Sequence, residues 1–146
     1  MSDEFVLSET PPAGARDVIL NNLVAFNTSR ASPHGSRTLA LLIHNQAGEV
    51  TGGLWGRTAW GWLFVELFFI PEEKRGSGLG TRLMRRAEEE AVSRGCHHAW
   101  LDTFSFQARG FYEKLGYRVF GTLGDYPIGH SRFFLTKRLA APTDGA

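Results

Sequence analysis

Hydrophobic and polar positions change period several times along the chain, and each change marks an element. Phe5-Val6-Leu7 is a short apolar run that reads as an edge strand, closed by Pro11-Pro12. From Ala15 to Phe26 the apolar residues Val18, Ile19, Leu23 and Phe26 recur at helical spacing. Asn27 to Arg37 has no period and is rich in Ser, Pro, Gly and His, so it reads as a loop. Thr38 to His44 and Glu49 to Arg57 read as two strands joined by a turn at Asn45-Gln46-Ala47-Gly48. Gly52-Gly53 inside the second strand implies a bulge or a close backbone approach. Trp60 to Ile70 is apolar on both faces apart from Glu66, the pattern of a central, buried strand.

A helix follows from Gly78 to Arg94, with Leu79, Leu83, Ala87 and Ala91 on one face and Arg82, Arg86 and Glu89 elsewhere. Gly95 is placed to end it in the left-handed conformation. His98 to Thr103 reads as a strand, and Ser105 as the cap of a short helix reaching about Leu115 and ended by Gly116. Tyr117 to Leu123 and Arg132 to Lys137 form a closing pair of strands around the loop Gly124 to His130. The resulting order, β-α-βββ-α-β-α-ββ, is a mixed α/β fold with a largely antiparallel first half. With no repeat or linker in view, residues 1–140 read as a single domain and 141–146 as a flexible tail.

Composition narrows the class. The 146 residues are 42% hydrophobic, 21% charged and 12% aromatic, which describes a globular domain. A net charge of +1 gives no reason to expect nucleic acid, so the basic cluster described below is a local feature. No apolar run reaches membrane-spanning length, and Met1-Ser2-Asp3-Glu4 lacks the basic and hydrophobic segments of a signal peptide. The single cysteine, Cys96, excludes an intrachain disulfide and fits a reducing compartment. A cytoplasmic protein without membrane or nucleic-acid partners is expected.

The candidate chemistry lies in residues 66–86, where an apolar strand runs into a glycine-rich turn that opens a basic helix. Glycines let backbone approach a ligand, and a helix start presents unpaired N–H groups with the positive end of the dipole. Lys74, Arg75, Arg82, Arg85 and Arg86 add positive charge. A phosphate-bearing cofactor follows. A Walker loop fails, because Gly80 is followed by Thr81-Arg82. A dinucleotide fingerprint fails at Thr81, although Asp102 lies at a suitable distance, and it would belong to an early βαβ unit. Arg75-Gly76-Ser77-Gly78-Leu79-Gly80 matches a third pattern, R/Q-x-x-G-x-G/A.

That segment resembles the coenzyme A pyrophosphate loop of the GNAT superfamily of N-acetyltransferases. Ala108-x-x-x-Tyr112-x-x-x-Gly116-Tyr117 is similar to the family's second motif, and the two together cover Glu66 to Tyr117. The resemblance implies an acyl-CoA N-acyltransferase-like sheet of about six to seven strands flanked by helices. It implies acetyl-CoA as co-substrate, no metal, and a primary amine of a small molecule or peptide as acceptor, with a homodimer as a compatible assembly. Residue by residue, it places the pyrophosphate on Arg75, Gly76, Ser77, Gly78, Leu79, Gly80 and Thr81. The backbone of Phe68, Phe69 and Ile70 would pair with the pantetheine arm, and Tyr112 would be the general acid beside the sulfur. Ser105 takes a coenzyme-contact position where the family often has Asn. Phe104-Ser105-Phe106-Gln107 resembles a segment of small, stand-alone bacterial members.

Transfer to an amine also needs the amine neutral. An unperturbed lysine-type amine has a pKa of about 10.4, so holding it neutral at pH 7 asks for roughly 4 to 5 kcal/mol or for a base. Glu66 is the candidate base; the alternative is a solvated or arginine-paired glutamate. Tyr112 could likewise be a core tyrosine. Asp102, Tyr126 and His130 are candidates for the acceptor side because they sit at strand ends or in the late loop. Trp55, Trp60 and Trp62 read as core or sheet-face residues, one of which could line an acceptor pocket. His97-His98 lack ligand spacing, so surface or core histidines are the simpler reading. Two other classes remain at this level: a non-catalytic acyl-CoA-binding module and a nucleotide-dependent oxidoreductase.

Overall fold

The computed structural model describes residues 4–139, so the expected tail lies outside the described residues. The chain divides into an N-terminal unit ending at His34 and a second unit beginning at Gly35. The first unit contains α1, Ala15–Arg30. Asp17 in its first turn and Arg30 in its last complement the dipole. The helix passes the expected end at Phe26 because the backbone ladder continues to Ala31, whose N–H donates to Asn27 O at 2.8 Å. Phe5-Val6-Leu7 is not a strand; the three residues are exposed and irregular. So short a run offers too few rungs to hold a sheet edge.

The second unit is built on one six-stranded sheet, ordered β1-β2-β3-β4-β6-β5. Its strands are β1 (Arg37–His44), β2 (Val50–Ala59), β3 (Trp62–Phe69), β4 (His98–Phe104), β5 (Arg118–Gly124) and β6 (Ser131–Arg138). The β3–β4 pair is parallel and the others are antiparallel. Helix α2 (Leu79–Ser93) makes the crossover that a parallel pair requires, and α3 (Arg109–Lys114) follows β4. The mixed, largely antiparallel sheet flanked by helices matches the sequence expectation.

The core forms where α2 meets the sheet. Met84, Ala87 and Ala91 are fully buried there with Leu54, Leu63, Leu101 and Leu135. The buried stripe is therefore centred on Met84, with the expected Leu79 and Leu83 only half-buried beside it. Each fully buried large apolar side chain stabilises by about 1.5 to 3 kcal/mol relative to exposure. Gly95, at φ 89°, ends α2 as expected. Cys96 N–H donates to Ala91 O and Gly95 N–H to Val92 O, both at 2.9 Å, so orphan carbonyls are paired.

Two irregularities position the site. Gly52 and Gly53 permit the close approach predicted for them: a Cβ would lie 2.5 Å from Phe69 O at Gly52 and 2.1 Å from Leu41 O at Gly53. The register between β2 and β3 shifts where Trp55 faces Leu67 and Gly56 faces Val65, which leaves Glu66 as the extra bulge residue. The expected Trp60–Ile70 strand is shorter, because Trp60 (φ 48°) and Gly61 (φ 78°) form a tight turn joining β2 to β3. It is central in the sheet but not buried throughout. Leu63 and Val65 are buried, whereas Glu66, Leu67 and Phe69 are exposed.

Candidate active site

The change of burial along β3 has a simple cause. Parallel pairing with β4 runs from Trp62↔His98 to Val65↔Leu101 and stops there. Beyond that rung the two strands are unpaired on their facing edges, and Glu66 and Asp102 are the next residue on each side. A cleft of about 910 Å³ opens at this fork, lined among others by Glu66, Phe68, Gly80, Asp102, Tyr112 and Arg132. The second half of β3 keeps β2 as a partner through Leu54↔Phe68 and Gly53↔Phe69. Its other edge, over Phe68 to Ile70, faces the cleft as an unpaired strand edge.

The glycine loop lies at one end of this cleft. Gly76 (φ 79°) and Gly78 (φ 80°) are both left-handed, a conformation that favours glycine. Among the described residues, none of the backbone N–H groups from Gly76 to Thr81 donates a hydrogen bond; the ladder begins with Arg82 N–H to Gly78 O at 3.1 Å. Consecutive free N–H groups ahead of a fifteen-residue helix make an anion cradle. Arg75, at the start of the loop, is held by a 2.8 Å bond from Nε to Ile70 O, and Ser77 Oγ closes the loop by donating to Lys74 O at 2.7 Å. A Cβ on Gly80 would touch Phe111 Cζ at 3.3 Å, so that position too favours glycine. Backbone, charge and shape all fit a pyrophosphate.

Tyr112 comes from α3, whose end explains the motif spacing. Gly116 is left-handed at φ 98°, Gly116 N–H donates to Glu113 O and Tyr117 N–H donates to Tyr112 O. The tyrosine ring is 7% exposed and packs edge-on against Phe68 and Phe111. Its hydroxyl makes no hydrogen bond among the described residues, yet no buried side-chain oxygen or nitrogen is left without a partner. The hydroxyl therefore touches the open space of the cleft. Burial, and then the nearby Asp102 charge, push its pKa up to about 12, so it carries its proton at any physiological pH.

Asp102 is tied to a residue the sequence reading did not single out. Arg132, on β6, donates to Asp102 Oδ1 from Nε at 3.0 Å, and its Nη2 makes an ion-pair contact with the same oxygen at 2.9 Å. Its Nη1 donates to the Tyr126 hydroxyl at 3.1 Å. The rings of Phe104, Tyr126 and Phe134 surround the guanidinium at 5.1 to 5.4 Å. Of the three candidates for the acceptor side, Asp102 lines the cleft and Tyr126 reaches it through Arg132. His130 packs on Phe106 and contacts Ser105 Oγ at 3.3 Å.

Ser105 does not cap a helix, because α3 begins four residues later. Its oxygen accepts Ser131 N–H at 3.0 Å and its N–H donates to Ser131 O, tying the end of β4 to the start of β6. Gln107 holds the turn instead, with Oε1 accepting from Phe104 N–H at 2.8 Å. The tryptophans Trp55, Trp60 and Trp62 are not core residues, being 45%, 44% and 39% exposed. His98 stacks on Trp62 at 4.5 Å, and among the described residues no group of ligating side chains could hold a metal. No described helix is long and apolar enough to cross a membrane.

An open, mixed sheet that forks between β3 and β4 beside a cradle of free N–H groups is the architecture of the acyl-CoA N-acyltransferase-like fold. The chain belongs to the Acetyltransferase (GNAT) family, which its residues 8–117 match, and it is an acetyltransferase. It is 44% identical to an acetyltransferase of Agrobacterium fabrum over 92% of this chain and 98% of that one. It is 43% identical to blasticidin-S acetyltransferase of Streptomyces morookaense over 64% of this chain and 70% of the other. A crystal structure of a protein from Agrobacterium tumefaciens, assigned to the same class, superposes with a TM-score of 0.88 at 43% identity, covering 93% of this chain and 99% of that one. Membership of this family removes the oxidoreductase reading, and the enzymatic relatives remove the non-catalytic one.

Proposed function

We propose that this enzyme transfers an acetyl group from acetyl-CoA directly to a primary amine. The observation that carries the reading is the unbroken row of free N–H groups from Gly76 to Thr81, continuous with the fork that holds Tyr112 and Glu66. Bound acetyl-CoA supplies a thioester whose C–S bond breaks as the amine nitrogen bonds to the acetyl carbon. Arg75 and the loop N–H groups hold the pyrophosphate, and the free edge of Phe68 to Ile70 pairs with the pantetheine arm as an added strand would. Ser105, engaged with Ser131, serves the coenzyme only by fixing the loop beyond β4.

Glu66, exposed on its bulge, accepts the proton the amine must lose, directly or through water. Tyr112 has a narrower role than full proton donation. A phenol at about 12 is a weaker acid than a thiol at about 8.5, so complete transfer to the departing sulfur is uphill. Its hydroxyl instead donates a hydrogen bond to the developing thiolate, worth about 1.5 to 3 kcal/mol for a charged acceptor. The overall balance is one ammonium and one thioester converted to one amide, one thiol and one proton.

The acceptor has a direct precedent in name only: a relative is a blasticidin-S acetyltransferase, and an antibiotic amine is a reasonable member of any test panel. A panel of amines with acetyl-CoA, followed by thiol release and by mass of the product, tests the reading. An increase of 42 Da on an amine supports it; coenzyme binding without any acetylated amine would refute it.

A further inference from the structure

We propose that Arg132 and Asp102 form an acceptor subsite selecting amines with one ammonium and, a few atoms away, a carbonyl or carboxylate oxygen. This rests on the acetyl-transfer reading above and extends it to the substrate class. Arg132 offers five N–H donors in a rigid plane. Nε is engaged by Asp102 Oδ1 and one Nη1 donor by the Tyr126 hydroxyl, while Nη2 stands in ion-pair contact with Asp102 at 2.9 Å, which leaves donors on Nη1 and Nη2 for a ligand. The arginine lines the cleft with its side chain 26% exposed, and the rings of Phe104, Tyr126 and Phe134 pack around it. A guanidinium held in this way is a fixed donor, not a solvated surface charge.

The carboxylates complete the pattern. Asp102 Oδ2 makes no bond among the described residues, and Glu66 has no cationic partner there. Both follow directly after the last rung, Val65↔Leu101, so they stand at the same level of the fork. Lys74 and Arg75 lie at the coenzyme end, leaving Glu66, Asp102 and Arg132 at the other, with a net charge of −1. One ammonium balances that charge. A second would meet the fixed cation of Arg132, so diamines and polyamines are disfavoured. An oxygen beside the amine takes the open donors, which an alkylamine would leave unsatisfied.

The test compares four acceptor series of matched chain length: ω-amino acids, their amides, n-alkylamines and α,ω-diamines. For the wild type, the best amino acid or amide should exceed the alkylamine and the diamine of equal length in kcat/KM by about tenfold or more, the effect of one charge-assisted hydrogen bond. The amide-to-acid ratio shows which oxygen is preferred. In R132Q the preference over the alkylamine should collapse, and diamines should gain relative to both. R132K, which keeps the charge but not the planar fork, carries the same test should R132Q fail to fold. A wild type that favours alkylamines or diamines, or a preference that survives both substitutions, overturns the subsite. Failure of all four series with coenzyme bound would instead sink the transfer reading itself.

Discussion

Two tyrosines five residues apart at the end of α3 share a core and diverge in chemistry. Tyr117 is 3% exposed, and its hydroxyl donates to Glu88 Oε2 at 2.8 Å, while Lys137 donates to Glu88 Oε1 at the same distance. Tyr112 is nearly as buried, but its hydroxyl has no partner among the described residues and opens on the cleft. One tyrosine closes a network that joins α2, β6 and the end of α3. The other stands at the fork with a donor in reserve. Burial alone does not separate a structural tyrosine from a functional one; the satisfaction of the hydroxyl does.

The largest expected effect lies on the coenzyme side of this contrast. Gly80→Asp sets a side chain against Phe111 and a negative charge beside the free N–H row. Coenzyme A should raise the melting temperature of the wild type and leave this variant unmoved, as differential scanning fluorimetry would show. A folded Gly80→Asp protein that still binds the coenzyme tightly would remove the pyrophosphate from this loop.

Next in size are the two tyrosine substitutions. Tyr112→Phe should lower turnover by about 10- to 150-fold, the loss of a hydrogen bond to a charged atom, with coenzyme affinity and stability close to wild type. Tyr117→Phe should do the reverse, losing about 1.5 to 3 kcal/mol of stability in urea titration while turnover of the folded enzyme holds. Equal behaviour of the two variants would erase the distinction between them.

Glu66→Gln should lower the rate at neutral pH and recover part of it at high pH, where more amine is already neutral. A rise in the Michaelis constant with unchanged turnover would make Glu66 a binding group instead. The smallest effect is on stability against pH. Burial raises the pKa of both tyrosines, to about 12 for Tyr112 and further for Tyr117, where the Glu88 charge adds to it. Their contribution is therefore complete below pH 10, where folded and unfolded tyrosines are both protonated. It is lost as pH rises from about 10 toward 12, because the unfolded chain ionises first. Urea titrations from pH 8 to 12 should show that decline, and Tyr117→Phe should reduce its slope.

The amino-acid sequence is enough for whatever depends on neighbours along the chain. The period of α2, its end at Gly95, the close approach at Gly52-Gly53, the glycine loop and the Tyr112-to-Gly116 spacing are all local geometry, readable from residue type. It also placed the strands in order, since alternation and turn residues act over a few positions. Three of its expectations failed where the outcome depended on a partner. Trp60 to Ile70 looks buried because a run of apolar residues carries no mark of where pairing with β4 stops. Ser105 has a capping residue's chemistry, but Ser131 claims its oxygen from across the sheet. Phe5-Val6-Leu7 has the composition of a strand and no rung to join.

The site itself is a product of long-range pairing. The shifted register between β2 and β3 makes Glu66 an exposed bulge residue, and the end of the parallel pairing opens the fork between it and Asp102. Arg132 carries no signal in a strand of mixed polarity; it becomes part of the site because β6 pairs with β4 in a register that sets it opposite Phe104, within diagonal reach of Asp102. Those relations are fixed by contacts between residues far apart in the chain, where the free energy of pairing and burial chooses the neighbours. Propensity and period act within a segment and cannot see that choice.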